Sequence, residues 1–229
     1  MTLLAYHGLE STKAAILAQL SAHRAADDIV KGTYWEDGKG CAVGCTLHSG
    51  HHIEYEFRFG IPQMLARLED CIFEGLPNGA ARLWPERFMG AIRPGADLSR
   101  VGWQFQHWLL TDSAVNPGIG HPTVQDAVRQ CAGVVLALAN NAAVPACAEI
   151  AARSAWIAGC AGSAAWSAES AAGSAAWSAR SAAWSAESAE NAESAARSAR
   201  SARSAAGRSA RSAAWVLMAD KLISLLGDA

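Results

Sequence analysis

Five side chains able to bind a metal or attack an electrophile fall in one short run, Cys41-Ala-Val-Gly-Cys45-Thr-Leu-His48-Ser-Gly-His51-His52. Two thiolates and one or two imidazoles suit Zn²⁺ by ligand type. On a helix the i, i+4 spacing puts the sulfurs of Cys41 and Cys45 on one face, with His48 a further turn along it. The candidate metal set is therefore Cys41, Cys45, His48 and His51, with Glu54 or Glu36 as the base that a catalytic version would need. The three residues between the cysteines differ from the two of the usual zinc knuckle. A second reading makes Cys45 a nucleophile activated by His48 or His51. A third makes Cys41, Ala42, Val43 and Cys45 small packing residues and the histidines solvated loop residues. No HExxH, P-loop or GxSxG pattern accompanies the run.

The elements around this run are read as mostly helical. A first helix spans about Ser11 to Lys31, with Ile16, Leu17 and Leu20 inward and Gly32 after its end. Asp27 and Asp28 near that end form a solvated turn, or face a cation held by the following loop. Thr33 to Gly40 is a loop with turn chemistry at Asp37-Gly38. Ile53, Tyr55, Phe57 and Phe59 alternate with charged residues, a short strand signal without an obvious partner. Ile61-Pro62 opens a helix whose stripe is Met64, Leu65, Leu68, Cys71 and Ile72. Glu69, Asp70 and Glu74 form its wet face, or stand behind the Cys/His cluster as supporting carboxylates. Further helices are expected from Pro85, over Leu98 to Leu110, and from Thr123 to about Asn140. His107 reads as a core or boundary histidine.

The most distinctive stretch runs from Ser163 to Trp215 and is built almost entirely of Ala and Ser. Its interruptions, Trp166, Glu169, Gly173, Trp177, Arg180, Trp184, Glu187 and Asn191, are three or four residues apart. At ~100° per residue they gather in an arc of roughly 80°, which is helical periodicity. The opposite face is nearly pure Ala and permits close helix approach. An unbroken helix through this part would be about 120 Å long, against about 45 Å for a compact domain of this chain length. A helical hairpin broken near Asn191 is thus favoured over a single long coiled coil. The apolar end, Trp215 to Leu226, is expected to dock on the main body.

Composition narrows the function. The net charge of −2 provides no general drive toward nucleic acid. No uninterrupted apolar run approaches the ~18 residues of a membrane span. Six cysteines in 229 residues do not make a disulfide scaffold. The start of the chain lacks a basic and then apolar leader pattern, so a reducing cytoplasm is the expected compartment. The fold class expected is all-α: a helical region over residues 1–144 packed with an Ala/Ser-rich long helix or hairpin over 145–229.

The phrases GTYWEDGKGCAVGCTLH and GIPQMLARLEDCIFEGLP, followed by the Ala-rich repeat, resemble a family of uncharacterised bacterial and phage proteins. That resemblance implies one architectural unit and a phage or mobile-element setting, and it transfers no activity and no site residues. The leading expectation is a non-enzymatic binding or assembly protein. Its partner would be itself or another protein, through a surface built on Trp166, Trp177, Arg180 and Trp184. The alternative is a zinc-binding or cysteine-dependent protein at Cys41, Cys45, His48 and His51. The cofactor is accordingly none, or zinc.

Overall fold

The computed structural model describes residues 3–113, 122–140, 142 and 212–229. The described part is all-α save for one two-residue hairpin. In chain order the elements are α1 (Glu10–Ala25), β1 (Trp35–Glu36), β2 (Lys39–Gly40), α2 (Ala42–Leu47), α3 (Glu54–Phe59), α4 (Gln63–Gly75), α5 (Asn78–Ala91), α6 (Val101–Thr111) and α7 (Pro122–Ala139). A final helix, α8, covers 212–228. No described helix is long and apolar enough to cross a membrane.

The chain divides into two compact units. One comprises residues 1–109, 135–144 and 214–229, and the other 110–134 and 145–213. The first unit has a continuous apolar core. Ile16 and Leu20 of α1, Leu65, Ile72 and Phe73 of α4, and Trp84 and Phe88 of α5 meet there. Ala219, Leu222 and Leu226 of α8 join them, so the apolar C-terminal stripe docks as its periodicity implied. Trp215 lies against Gly75, where a Cβ would collide with the indole. Arg87 pairs with Asp220 across the same contact at 2.9 Å.

Several element boundaries depart from the sequence-based expectations. α1 stops at Ala25 rather than Lys31. The stop is made by Asp27 in the left-handed region at φ 61, with the Asp28 N–H returning to the His23 carbonyl at 3.0 Å. Asp tolerates this conformation better than most residues with a Cβ, so Gly32 was not needed. The alternating stretch at 54–59 is helix, not strand. Tyr55 and Phe59 are one turn apart and both buried, with rings edge to face at 5.6 Å, while Phe57 stays 74% exposed. A lone strand would leave its backbone groups unpaired, whereas one and a half turns of helix satisfy them internally. Pro85 lies inside α5, which begins after Pro77. In α4, Cys71 is exposed and Glu69 is fully buried, the reverse of the expected stripe. The repeat residues Trp166, Trp177, Arg180 and Trp184, and the hairpin expected there, lie outside the described residues.

Candidate functional site

The Cys/His run is organised by the chain that returns from α1. After α1, the backbone at 28–33 folds over the hairpin: Gly40 N–H donates to the Asp28 carbonyl at 3.0 Å, Val30 N–H to Gly40 at 2.8 Å, and Cys41 N–H to Thr33 at 2.8 Å. The hairpin turn is Asp37-Gly38, with φ of 50° and 81°. Two consecutive positive φ values are what a tight two-residue hairpin requires. Gly40 and Gly44 are glycine for space. A Cβ on either would run into the Tyr34 carbonyl oxygen.

This wrapping delivers Cys41 to the N-cap of α2, where its sulfur accepts from Gly44 N–H at 3.4 Å. All of α2 is buried. Its last carbonyls find donors outside the helix: the Gln19 amide donates to Cys45 at 2.6 Å and to Thr46 at 3.1 Å, and the Arg58 guanidinium to Leu47 at 2.8 Å. His48 ends the helix in the left-handed region at φ 55.

The expected cluster is thereby split. Cys45 is fully buried and donates to the Gly40 carbonyl at 3.3 Å. Burial pushes both the Cys41 and Cys45 thiols up to about 12, so both are protonated near neutrality. His48 points outward instead. Its Nε2 lies 2.9 Å from His23 Nε2, and its ring stacks on Trp35 with centroids 4.3 Å apart. Burial first, then the charges of His23 and Arg58, lower its pKa. His51 is exposed on the following turn, and Glu36 is exposed on β1. Glu54 accepts from Ser49 at 2.7 Å and pairs with Arg58 at 3.6 Å. Among the described residues no group of three or more His, Cys, Asp and Glu side chains is arranged to hold a metal.

Two smaller constellations take the place of that cluster. Beside the hairpin, an open pocket of about 210 Å³ is lined by Gly32, Thr33, Tyr34, Cys41, Asp70 and Glu74. Asp70 Oδ2 accepts from the Tyr34 hydroxyl at 3.2 Å and meets His52 Nε2 at 3.3 Å. One residue earlier, Glu69 has no solvent contact and accepts from the Tyr55 hydroxyl at 2.5 Å. Its other oxygen, Oε1, has no hydrogen-bond partner among the described residues. Burial, with Asp70 adding to it and the Tyr55 bond opposing, pushes the Glu69 carboxyl up to about 8. Asp70 and Glu74 of α4 thus share a pocket wall with Cys41, while Glu69 serves the core.

On the surface side, His23 from the last turn of α1 joins His48. Asp28 Oδ2 lies 3.2 Å from His23 Nδ1. Trp35 meets the His23 ring edge-on at 5.3 Å as well as stacking on His48. Sequence reasoning missed His23 because it lies 25 residues from His48. Only the early end of α1 and the return through Asp28 bring the two together. No protein-family profile, curated protein or solved structure matches the chain.

Proposed function

We propose that the protein is a non-enzymatic binding or assembly protein, in which a compact helical unit anchors the Ala/Ser-rich repeat for contact with a second copy or another protein. The observation that supports this reading is the division of the chain. The stretches flanking the repeat, 135–144 and 214–229, belong to the same compact unit as residues 1–109. The downstream flank is held there by the buried Ala219, Leu222 and Leu226. Anchoring at both flanks suits a segment that is presented rather than trailed. Trp166, Trp177, Arg180 and Trp184 form the proposed contact surface, since tryptophan and arginine dominate interface energetics. The free thiols Cys41, Cys45 and Cys71 fit the proposed reducing compartment.

The test is the solution mass of the full chain by light scattering, with and without Trp166→Ser, Trp177→Ser and Trp184→Ser together. Assembly lost in the triple variant, with α-helical content retained, supports the reading. A strict monomer whose tryptophans are shielded from a soluble quencher removes it.

The cysteine-dependent alternative draws on one observation, the presence of Cys41 in the wall of the Asp70 cavity. Against it stand the protonated thiols and the outward turn of His48, which leave Cys45 without a base at hand. Rapid, stoichiometric modification of Cys41 by a small electrophile would revive it.

A further inference from the structure

We propose that His23 and His48 form a two-imidazole site for a late first-row divalent metal ion, with Ni²⁺ and Cu²⁺ preferred over Zn²⁺, and that Asp28 and Trp35 hold the two rings in place. The inference is independent of the assembly reading and uses only one of the four residues that the local sequence run offered.

Three features support it. First, the two Nε2 atoms are 2.9 Å apart. Metal–imidazole bonds of about 2.0–2.1 Å put two nitrogens roughly 2.9 Å apart when they subtend about 90°, and roughly 3.3 Å apart at the tetrahedral angle. In the metal-free protein this contact is a hydrogen bond between the two rings, and replacing its proton by a metal ion at adjacent corners of a square or octahedron, the geometry favoured by Cu²⁺ and Ni²⁺, requires no change in the spacing of the two nitrogens. Second, the Asp28 carboxylate at 3.2 Å from His23 Nδ1 favours the tautomer with the proton on Nδ1. That makes the Nε2 of His23 the acceptor facing His48, a lone pair that a metal ion would take over in the carboxylate–histidine arrangement that orients metal-binding imidazoles. Third, neither ring is free to swing. Trp35 stacks on one and abuts the other, and the two rings come from different elements, α1 and the exit of α2, bound together through Gln19.

The site is reachable. His48 is exposed, while the His23 side chain retains 15% of its surface. Water would complete the coordination sphere, since the protein offers two ring nitrogens. Arg58, whose charge acts on His48, is tied to the Leu47 carbonyl and to Glu54.

The experiment is calorimetric titration of the full, reduced chain with NiCl₂. One equivalent should bind. His23→Gln and His48→Gln should each weaken binding at least tenfold, and Asp28→Asn, which keeps both ring ligands, about tenfold. The double variant Cys41→Ser/Cys45→Ser should bind as the parent does. Absence of stoichiometric binding overturns the proposal, as does binding that survives both histidine substitutions or is lost with the cysteines. A measurement on the unaltered protein guards against misfolded variants. Paramagnetic Ni²⁺ should broaden the ring signals of His23, His48 and Trp35 before any others, and broadening centred elsewhere counts against the site.

Discussion

The two ends of α2 carry residues of similar chemical reputation and treat them in opposite ways. At the N-terminal end Cys41 caps the helix from within the core, and one turn later Cys45 is sealed from solvent. At the C-terminal end His48 leaves the helix in a left-handed conformation and reaches a second imidazole at the surface. Six helical residues separate a thiol that burial keeps protonated from an imidazole that burial and charge keep unprotonated. Proximity in sequence assembled these groups on paper. The local dielectric and the direction of the chain decide what each can do.

The largest test of this contrast is thiol reactivity. Thiolate is the reacting species. Cys41 and Cys45 are held near 12. Burial and Asp70 also raise the Cys71 thiol, but it is exposed, so iodoacetamide at pH 8 should modify Cys71 at least about tenfold faster than either core thiol. Mass mapping of the alkylated peptides over time reads this directly. Comparable rates at Cys41 would break the contrast and make the core end a reactive site.

Next in size is the support beneath both ends. Gly44→Ala would drive a methyl group into the Tyr34 backbone, which cannot swing aside as a flexible side chain could. Urea unfolding should show a loss of about 3 kcal/mol, at the upper end of overpacking costs. A loss below 1 kcal/mol would mean that the return loop yields, and that neither end is held as rigidly as the hydrogen bonds at Asp28, Val30 and Thr33 imply.

The core end should also show itself in pH dependence. Glu69 faces Tyr55, with Asp70 next in the chain, and its folded pKa is raised from 4.5 to about 8. A group raised on folding contributes stability that is fully present below its unfolded pKa and is lost as pH rises toward the folded value. Between about pH 4.5 and 8 the folded state holds a proton that the unfolded state has released. This group's share of stability should therefore fall by up to about 1.4 kcal/mol per pH unit there. Glu69→Gln keeps the acceptor for Tyr55 and should flatten that slope. Denaturant midpoints across the window check it, and an unchanged slope in the variant would remove Glu69 as its source.

How much of this was legible beforehand follows from the range of the interactions. The all-α class was readable because helical periodicity is local, and so was the docking of the last helix through Leu222 and Leu226. The Asp37-Gly38 turn was readable because its backbone geometry selects its residues. The misreading at Tyr55, Phe57 and Phe59 arose because burial of 55 and 59 alone satisfies both a period of two and a helical turn. Only the absence of a partner strand separates the two. Glu69 read as wet because a carboxylate normally is. Its burial depends on Tyr55, eight residues before the start of α4, and on a core assembled from several other helices. The site at His23 had no local signal at all.

The smallest prediction bears on that last point. A four-ligand set drawn from sequence proximity gives His51 the same standing as His48, whereas the structure leaves the His51 side chain exposed on the turn after α2. His51→Ala should alter unfolding free energy by less than about 0.5 kcal/mol, as surface substitutions do, and should leave Ni²⁺ affinity unchanged. His48→Ala removes the stack on Trp35 and the contact with His23. Its cost should be about 1 kcal/mol, the scale of a ring–ring contact. Parallel melts of the two variants separate the cases. Equal effects would restore the local cluster as the unit of function. Unequal effects in the expected direction leave the exit of α2 as a meeting point of α1 and the hairpin, where His48 acts with His23 rather than with its neighbours in the chain.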